Sequence, residues 1–152
     1  MTLIARNESP VTRVRVIFGD TDAGGIVYHP RYLEMAERGR NELTRSLGLD
    51  VGKLFSVDGY GLALRSCDMQ FRNPALFDDL LTIHTHVSKL RAASSTWTSK
   101  IKRGPTEICT VNAEIICMDR NTHSPVMFPD FVAAAFGAGM LGKIKPIEKE
   151  KS

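Results

Sequence analysis

The length and composition of the chain predict one globular domain. Its 152 residues, 43% of them hydrophobic, are enough for a sizeable core. The formal net charge is +3 and the basic residues are dispersed, which argues against nucleic acid as the main partner. No run approaches the roughly 18 apolar residues of a membrane-spanning helix, and the first residues lack the apolar segment of a signal peptide. The three cysteines have no C-x-x-C spacing, so we expect reduced thiols and a cytoplasmic protein.

The N-terminal half predicts one strand and one long helix. Residues 13–18 alternate arginine and valine before two further apolar residues, a pattern typical of a strand. Pro30 suits the first position of a helix and Gly48 the position after its end, so we expect a helix over 30–47. Apolar or small residues recur every three or four positions in it: Tyr32, Met35, Ala36, Gly39, Leu43 and Leu47. Glycine inside a helix costs about 1 kcal/mol relative to alanine, so we expect Gly39 to allow close packing against a sheet.

The C-terminal half predicts mostly strands. After a turn-rich linker over 51–59, we expect strands over 61–71, 80–90, 94–102 and 107–118, then a short helix over 129–141 and a fraying charged tail over 143–152. Short loops join the last three strands, which predicts an antiparallel meander. These elements make an α+β domain with a mostly antiparallel sheet of about five strands. One helix leaves much of such a sheet uncovered, so we expect a homo-oligomer.

The loop between the first strand and the long helix carries the strongest chemical signal. It contains Asp20, Asp22 and the glycine pair Gly24-Gly25, followed closely by Pro30. One interpretation is turn chemistry, since aspartate bonds local backbone and glycine supplies positive φ. The other places a carboxylate beside the free N–H groups of a positive helix N-terminus. A carboxylate next to an oxyanion donor is what hydrolysis of an acyl ester or thioester needs.

Several segments between residues 13 and 135 together match a known family. They are Asp22-Ala23-Gly24-Gly25-Ile26-Val27-Tyr28-His29, Tyr32, Glu37-Arg38, Arg72-x-Pro74, Asp78-Asp79-x-Leu81 and Lys89-x-Arg91. This pattern resembles the hotdog-fold acyl-CoA thioesterases of the 4-hydroxybenzoyl-CoA thioesterase-like family, in the branch linked to the Tol-Pal cell-envelope system. The resemblance implies a single domain over 1–152, with its core at about 13–135 and a curved antiparallel sheet wrapped around one long helix. It also implies a dimer, usually paired into a homotetramer, with active sites at the subunit interface.

The resemblance implies a role for particular residues. Asp22 matches the catalytic carboxylate, either as nucleophile or as general base, and the backbone N–H of His29 matches the oxyanion donor. Whether the His29 side chain takes part is open. Four residues match substrate-binding positions: Gly25, Tyr28, Glu37 and Arg91, of which Tyr28 lines the acyl pocket and Arg91 lies near the phosphates of coenzyme A. Phe18-Gly19 departs from the Tol-Pal branch and resembles the hydroxybenzoyl branch, so short aliphatic and aromatic acyl groups are both open.

Other chemistries have weaker support in the sequence. His84 and His86 lie two residues apart on one strand face, half of a metal site without an evident third ligand. The three cysteines lie in strand-like segments away from any helix start, which disfavours a thiolate nucleophile. We therefore expect no metal and no cofactor, coenzyme A being part of the substrate. The alternative function is a non-catalytic module that binds acyl-CoA or acyl-carrier protein, because fold does not fix function.

Overall fold

A computed structural model describes residues 9–140 of the chain. The strands are β1 (Val11–Arg15), β2 (Tyr60–Phe71), β3 (Leu80–Leu90), β4 (Ser94–Arg103) and β5 (Thr106–Asp119), and the helices are α1 (Pro30–Ser46), α2 (Val51–Ser56) and α3 (Asp130–Ala138). The predicted tail over 143–152 lies outside the described residues. No helix within residues 9–140 is long and apolar enough to cross a membrane.

The five strands form one antiparallel sheet in the order β1-β3-β4-β5-β2. The predicted meander of β3, β4 and β5 is confirmed, because each pairs with the next along the chain. β2 returns to pair with β5 and occupies one edge, while the short β1 occupies the other. The alternation predicted for β3 is also observed, since Leu81, Ile83, Thr85 and Val87 are all buried. The fold is therefore the α+β class expected.

Helix α1 packs across the buried face of this sheet. Its predicted apolar stripe is confirmed, because Tyr32, Met35, Ala36, Gly39 and Leu43 are buried. A Cβ built on Gly39 would lie 2.5 Å from the Oγ1 of Thr85 and 2.8 Å from the Cγ2 of Ile83. Only a glycine fits so close to β3, which confirms the packing reason expected for it. Gly48 follows the helix with φ +87°, the conformation that favours glycine after a helix end.

The core has a second part beyond the C-terminal half of α1. There Trp97 packs edge-on against Phe136 with ring centroids 5.0 Å apart, and Phe128 meets the same ring at 5.3 Å. Phe136 belongs to α3, the short helix expected over 129–141, which ends at Ala138. Aromatic burial of this kind supplies much of the apolar area that a domain removes from water.

The first strand differs from the prediction. β1 covers Val11–Arg15 instead of 13–18, and Phe18–Asp20 form a single 3₁₀ turn. The cause is Asp20, whose Oδ2 accepts the backbone N–H of Ile17 at 2.9 Å and replaces a ladder hydrogen bond. As a result Phe18 is 80% exposed instead of lying in the core.

The linker expected over 51–59 is also partly wrong, because its first six residues form α2. Asp50 caps this helix by accepting the N–H of Lys53 at 3.0 Å, an N-cap signal that the turn-rich composition obscured. Leu54 anchors the short helix by its burial in the core.

Candidate active site

The loop with the two carboxylates is a tight hairpin that leads into α1. The N–H of Tyr28 donates to the carbonyl of Asp20 at 2.8 Å, and the N–H of Asp22 donates to that of Ile26 at 3.0 Å. The tip closes where the N–H of Gly25 donates to the carbonyl of Asp22 at 3.0 Å. Gly25 has φ +79°, a conformation that a side chain would strain. The segment forms this hairpin because its glycines allow the turn and its two carboxylates accept hydrogen bonds from nearby backbone N–H groups.

The Asp22 side chain lies at the tip of the hairpin. Its Oδ1 accepts the N–H of Gly24 at 2.8 Å, which fixes the orientation of the carboxylate. The residue is exposed, so in one protomer its carboxylate is in contact with solvent. The hairpin tip, Asp22 to Gly25, is exposed among the described residues 9–140.

The two aspartates have different surroundings. Asp20 accepts from Ile17, and its Oδ1 lies 3.9 Å from the Nε of Arg31. It therefore holds the entry to the hairpin through its side chain. Asp22 makes only the local bond to Gly24 within the described residues and keeps an oxygen open to solvent. Turn chemistry thus accounts for Asp20 more fully than for Asp22.

The hairpin is attached to the rest of the domain through the segment that precedes β3. The N–H of Val27 donates to the carbonyl of Ala75 at 2.9 Å, and both residues are buried. Phe71, the last residue of β2, places its ring 6.3 Å from that of His29 and 5.9 Å from that of Tyr32. These contacts fix the hairpin and the start of α1 relative to each other.

The start of α1 offers one backbone donor. Pro30 has no N–H, while the N–H groups of Arg31 and Tyr32 donate to the carbonyls of Tyr28 and His29. The N–H of Tyr28 donates to the carbonyl of Asp20, so it is not free to bind a substrate. Within residues 9–140 the N–H of His29 has no acceptor. This free donor lies at the positive end of a 17-residue helix, where a developing negative charge is stabilised.

The four candidate residues of the loop are brought together, and the other two are not. Asp22, Gly25, Tyr28 and His29 share the hairpin and the helix start, where the Tyr28 ring packs 5.0 Å from the imidazole of His29. Glu37 lies further along α1 on the wall of a cavity of about 430 Å³.

Arg91 lies at the far end of β3 from this loop. β1 leads into the hairpin, and its last residue Arg15 pairs with Leu80, the first residue of β3. Arg91 follows Leu90 at the other end of that strand. A strand rises about 3.3 Å per residue, so roughly 35 Å of strand separates Arg91 from the loop end of the sheet. In one protomer Arg91 therefore belongs to a different region. There the pKa of Glu114 is lowered mainly by hydrogen bonds from Arg65 and Ser66, with a smaller electrostatic contribution from Arg91.

The remaining candidate chemistries gain no support from the geometry. His84 places its Nε2 3.2 Å from the Oγ1 of Thr82, and burial lowers the pKa of His86. No group of three potential metal ligands occurs in the part of the chain that the structure describes. Burial raises the pKa of Cys109 to about 12, which keeps this thiol protonated at neutral pH.

Arg40 lines a cavity beside α1 and was not among the site residues predicted from the sequence. It lies in α1 four residues after the buried Ala36, and it lines the same cavity as Glu37. The spacing was visible, because positions 36, 40 and 43 share one helix face. An arginine on that face is normally dismissed as a flanking solvated residue, and only the structure shows that it is partly buried.

Comparison with known proteins places this geometry in a family. The model of the Thioesterase-like superfamily matches residues 16–136. The acyl-CoA thioesterase YbgC of Haemophilus influenzae is 34% identical over 123 residues, which cover 81% of this chain and 90% of that protein.

Two solved structures share both the fold and detectable sequence similarity. A probable thioesterase from Bartonella henselae is 36% identical, with a TM-score of 0.74 over 79% of this chain and 98% of that one. A gentisyl-coenzyme A thioesterase is 26% identical, with a TM-score of 0.76 over 84% of this chain and 99% of that one. The similarity to YbgC agrees with the branch that the sequence motifs indicated.

Proposed function

The chain belongs to the Thioesterase-like superfamily and is a thioester hydrolase, and we propose that the loop from Asp20 to Pro30 is its active site. Its reaction is the hydrolysis of acyl-CoA to a free acid and CoA. The oxygen of water forms the new bond to the acyl carbon, the carbon–sulfur bond breaks, and the thiolate leaves and takes up a proton. The observation that carries the assignment is the free N–H of His29 beside the hairpin of Asp22.

The proposed mechanism uses two groups of this chain. The N–H of His29 stabilises the oxyanion that forms on the thioester carbonyl, an effect worth about 2.7–4 kcal/mol for one such donor. The donor is fixed before the reaction, because His29 is the N-cap residue of α1 and its ring packs against Phe71. Asp22 either attacks the acyl carbon or takes the proton from an attacking water. No metal or redox group has a role in this proposal.

The acyl group is proposed as short aliphatic or aromatic. An aromatic group is supported by the similarity to a protein named for its activity on gentisyl-CoA. It is also supported by the aromatic side chains of Tyr28 and Phe71, both exposed at the helix start. The cytoplasmic location expected from the cysteines stays a prediction.

The experiment that tests the function is thiol release from a panel of acyl-CoAs, followed with a thiol reagent. The panel contains acetyl-, butyryl-, octanoyl-, benzoyl- and 4-hydroxybenzoyl-CoA. Hydrolysis of at least one member above the uncatalysed rate supports the enzyme, and its preferred member gives the substrate class. Binding of acyl-CoA without thiol release from any member would instead establish the non-catalytic module.

We propose that a second copy pairs along the edge strand β2. This strand has 12 residues, runs along an unpaired sheet edge, and is mostly exposed from Leu64 to Phe71. A long exposed edge with apolar side chains invites pairing with another strand. A two-fold axis would pair the two copies of β2 antiparallel and cover surfaces that one protomer leaves open.

We predict that the protein forms a dimer or tetramer in solution. Light scattering at micromolar concentration measures the mass directly, and the expected result is at least twice the 16.8 kDa of one chain. A monomer over this concentration range would contradict both the β2 interface and an active site shared between copies.

We propose that Arg91 binds a phosphate of the coenzyme A whose thioester lies in the active site of another copy. The active-site loop of the same protomer lies at the opposite end of β3 from Arg91. Arg91→Ala is then expected to raise KM more than it lowers kcat, since it holds a part of the substrate remote from the chemistry. The difference between wild type and variant is expected to shrink with added salt.

The control for Arg91 is the same acyl group on N-acetylcysteamine, which keeps the thioester and lacks the nucleotide. Wild type and Arg91→Ala are expected to hydrolyse this truncated substrate equally. An equal defect on both substrates would assign Arg91 to the fold or to the acyl pocket instead.

A further inference from the structure

A cavity of about 430 Å³ runs along α1 from its first residue, Pro30. Its far wall is apolar and comes from the sheet: Leu62, Leu64, Trp97 and Ile115. Its near wall belongs to α1 and carries the polar residues Glu34, Glu37, Arg40, Asn41 and Thr44. Ligand pockets have a volume of this order, and many combine an apolar wall with polar groups that orient the ligand.

Arg40 is the unusual group in this cavity. Its Nη1 is buried and has no hydrogen-bond partner among residues 9–140. Burial lowers the pKa of Arg40, and Glu37 is the anion that partly opposes this effect. No ion pair within 4.0 Å joins Arg40 to a carboxylate in the described residues. A buried cation without a paired anion is costly, so an anion that comes close to this guanidinium would stabilise it.

Arg40 lies on the same helix as the proposed oxyanion donor, the N–H of His29. Arg40 follows His29 by eleven positions, which is about 16 Å along a helix that rises 1.5 Å per residue. Helical side chains lean toward the N-terminus, so the guanidinium lies about 10 Å from the His29 donor. Pro30, the neighbour of His29, lines the same cavity. An acyl group whose thioester carbonyl meets His29 therefore extends along α1 toward Arg40.

We propose that Arg40 binds a carboxylate at the distal end of the acyl group, so that the enzyme accepts CoA thioesters of dicarboxylic acids. This inference rests on the proposed function, since it assigns the acyl pocket of that same site. The distance selects an acyl chain of medium length, because the thioester carbonyl and the terminal carboxylate are separated by about 10 Å. The apolar wall of the sheet packs against the methylene groups between them.

The test compares two substrates of equal chain length, octanoyl-CoA and suberyl-CoA, which differ only in the terminal group. For the wild type we expect kcat/KM to be roughly 10- to 100-fold higher for suberyl-CoA, the range of a buried hydrogen bond to a charged group. Arg40→Met keeps the length of the side chain and removes the charge, and is expected to abolish or reverse this preference. Arg40→Lys is expected to retain part of it.

The matched control is Arg38→Met, which removes a positive charge from the exposed face of the same helix. It is expected to leave the preference for suberyl-CoA unchanged. A second measurement needs no variant: free suberate is expected to inhibit the wild type more strongly than free octanoate, in competition with substrate.

The outcomes separate the two proposals. If neither thioester nor any other acyl-CoA is hydrolysed, the proposed function fails. If octanoyl-CoA is hydrolysed as fast as suberyl-CoA and suberate inhibits no better than octanoate, only the role of Arg40 is overturned. If Arg40→Met separates the oligomer into monomers by light scattering, the anion that Arg40 binds belongs to a second copy, which also overturns it.

Discussion

Replacing Asp22 with Asn is expected to remove nearly all hydrolysis while leaving the fold intact. An asparagine amide can neither attack the thioester nor take a proton from water, so both proposed roles are lost. Its side-chain oxygen can still accept the N–H of Gly24, the bond that Asp22 makes at the hairpin tip. We expect kcat to fall by well over 10-fold for the preferred acyl-CoA, with KM changed much less.

Asp20→Asn is the matched control for this variant. It has the same chemistry and lies two residues away, but its carboxylate supports the backbone at Ile17 and lies near Arg31. We expect a smaller loss of activity, through a less stable turn. Retention of more than about a tenth of kcat by Asp22→Asn, a loss below about 1.4 kcal/mol, would show that Asp22 is not the catalytic carboxylate. Circular dichroism and light scattering on both variants verify that the fold and the oligomer are kept.

The regular elements could be predicted because their side chains follow one period. α1 ends within one residue of the expected 30–47, and β3 has the expected bounds. Both elements alternate buried and exposed residues with the spacing of a helix or a strand. Periodicity did not predict the ends of an element where one side-chain hydrogen bond sets the backbone conformation. The carboxylates of Asp20 and Asp50 ended β1 early and started α2.

The candidate site could be predicted in part. The sequence identified the loop with Asp22 and the helix start, since glycines and proline mark both. It offered several backbone donors, and the backbone hydrogen bonds made by Tyr28, Arg31 and Tyr32 reduce them to His29 within the described residues. The lack of a hydrogen-bond partner for the Nη1 of Arg40 among the described residues could not be predicted. It depends on which distant residues of β2, β4 and β5 face α1 across the cavity.

The close approach of α1 to the sheet leads to a second large expected effect. By helix propensity alone, Gly39→Ala would stabilise the protein by about 1 kcal/mol. Here the new Cβ would meet the Oγ1 of Thr85 at 2.5 Å and the Cγ2 of Ile83 at 2.8 Å. The Thr85 hydroxyl cannot move freely, since it is buried and hydrogen-bonded to the hydroxyl of Ser99 at 3.0 Å. We therefore expect a net loss of about 1–3 kcal/mol, as for other overpacked cores.

Thermal unfolding measures this effect against a glycine that has room. Gly137 lies inside α3, and a Cβ there would meet the Cδ2 of Leu90 at 3.8 Å, an ordinary contact. Gly137→Ala is thus expected to raise the melting temperature and Gly39→Ala to lower it, by roughly 2–4 °C for each kcal/mol in a chain of this length. Because α1 also carries the His29 donor, a helix pushed away from β3 is expected to lose activity along with stability. A Gly39→Ala protein as stable as the wild type would mean that the sheet yields at Thr85 and Ile83, and that α1 is not held at a fixed distance from β3.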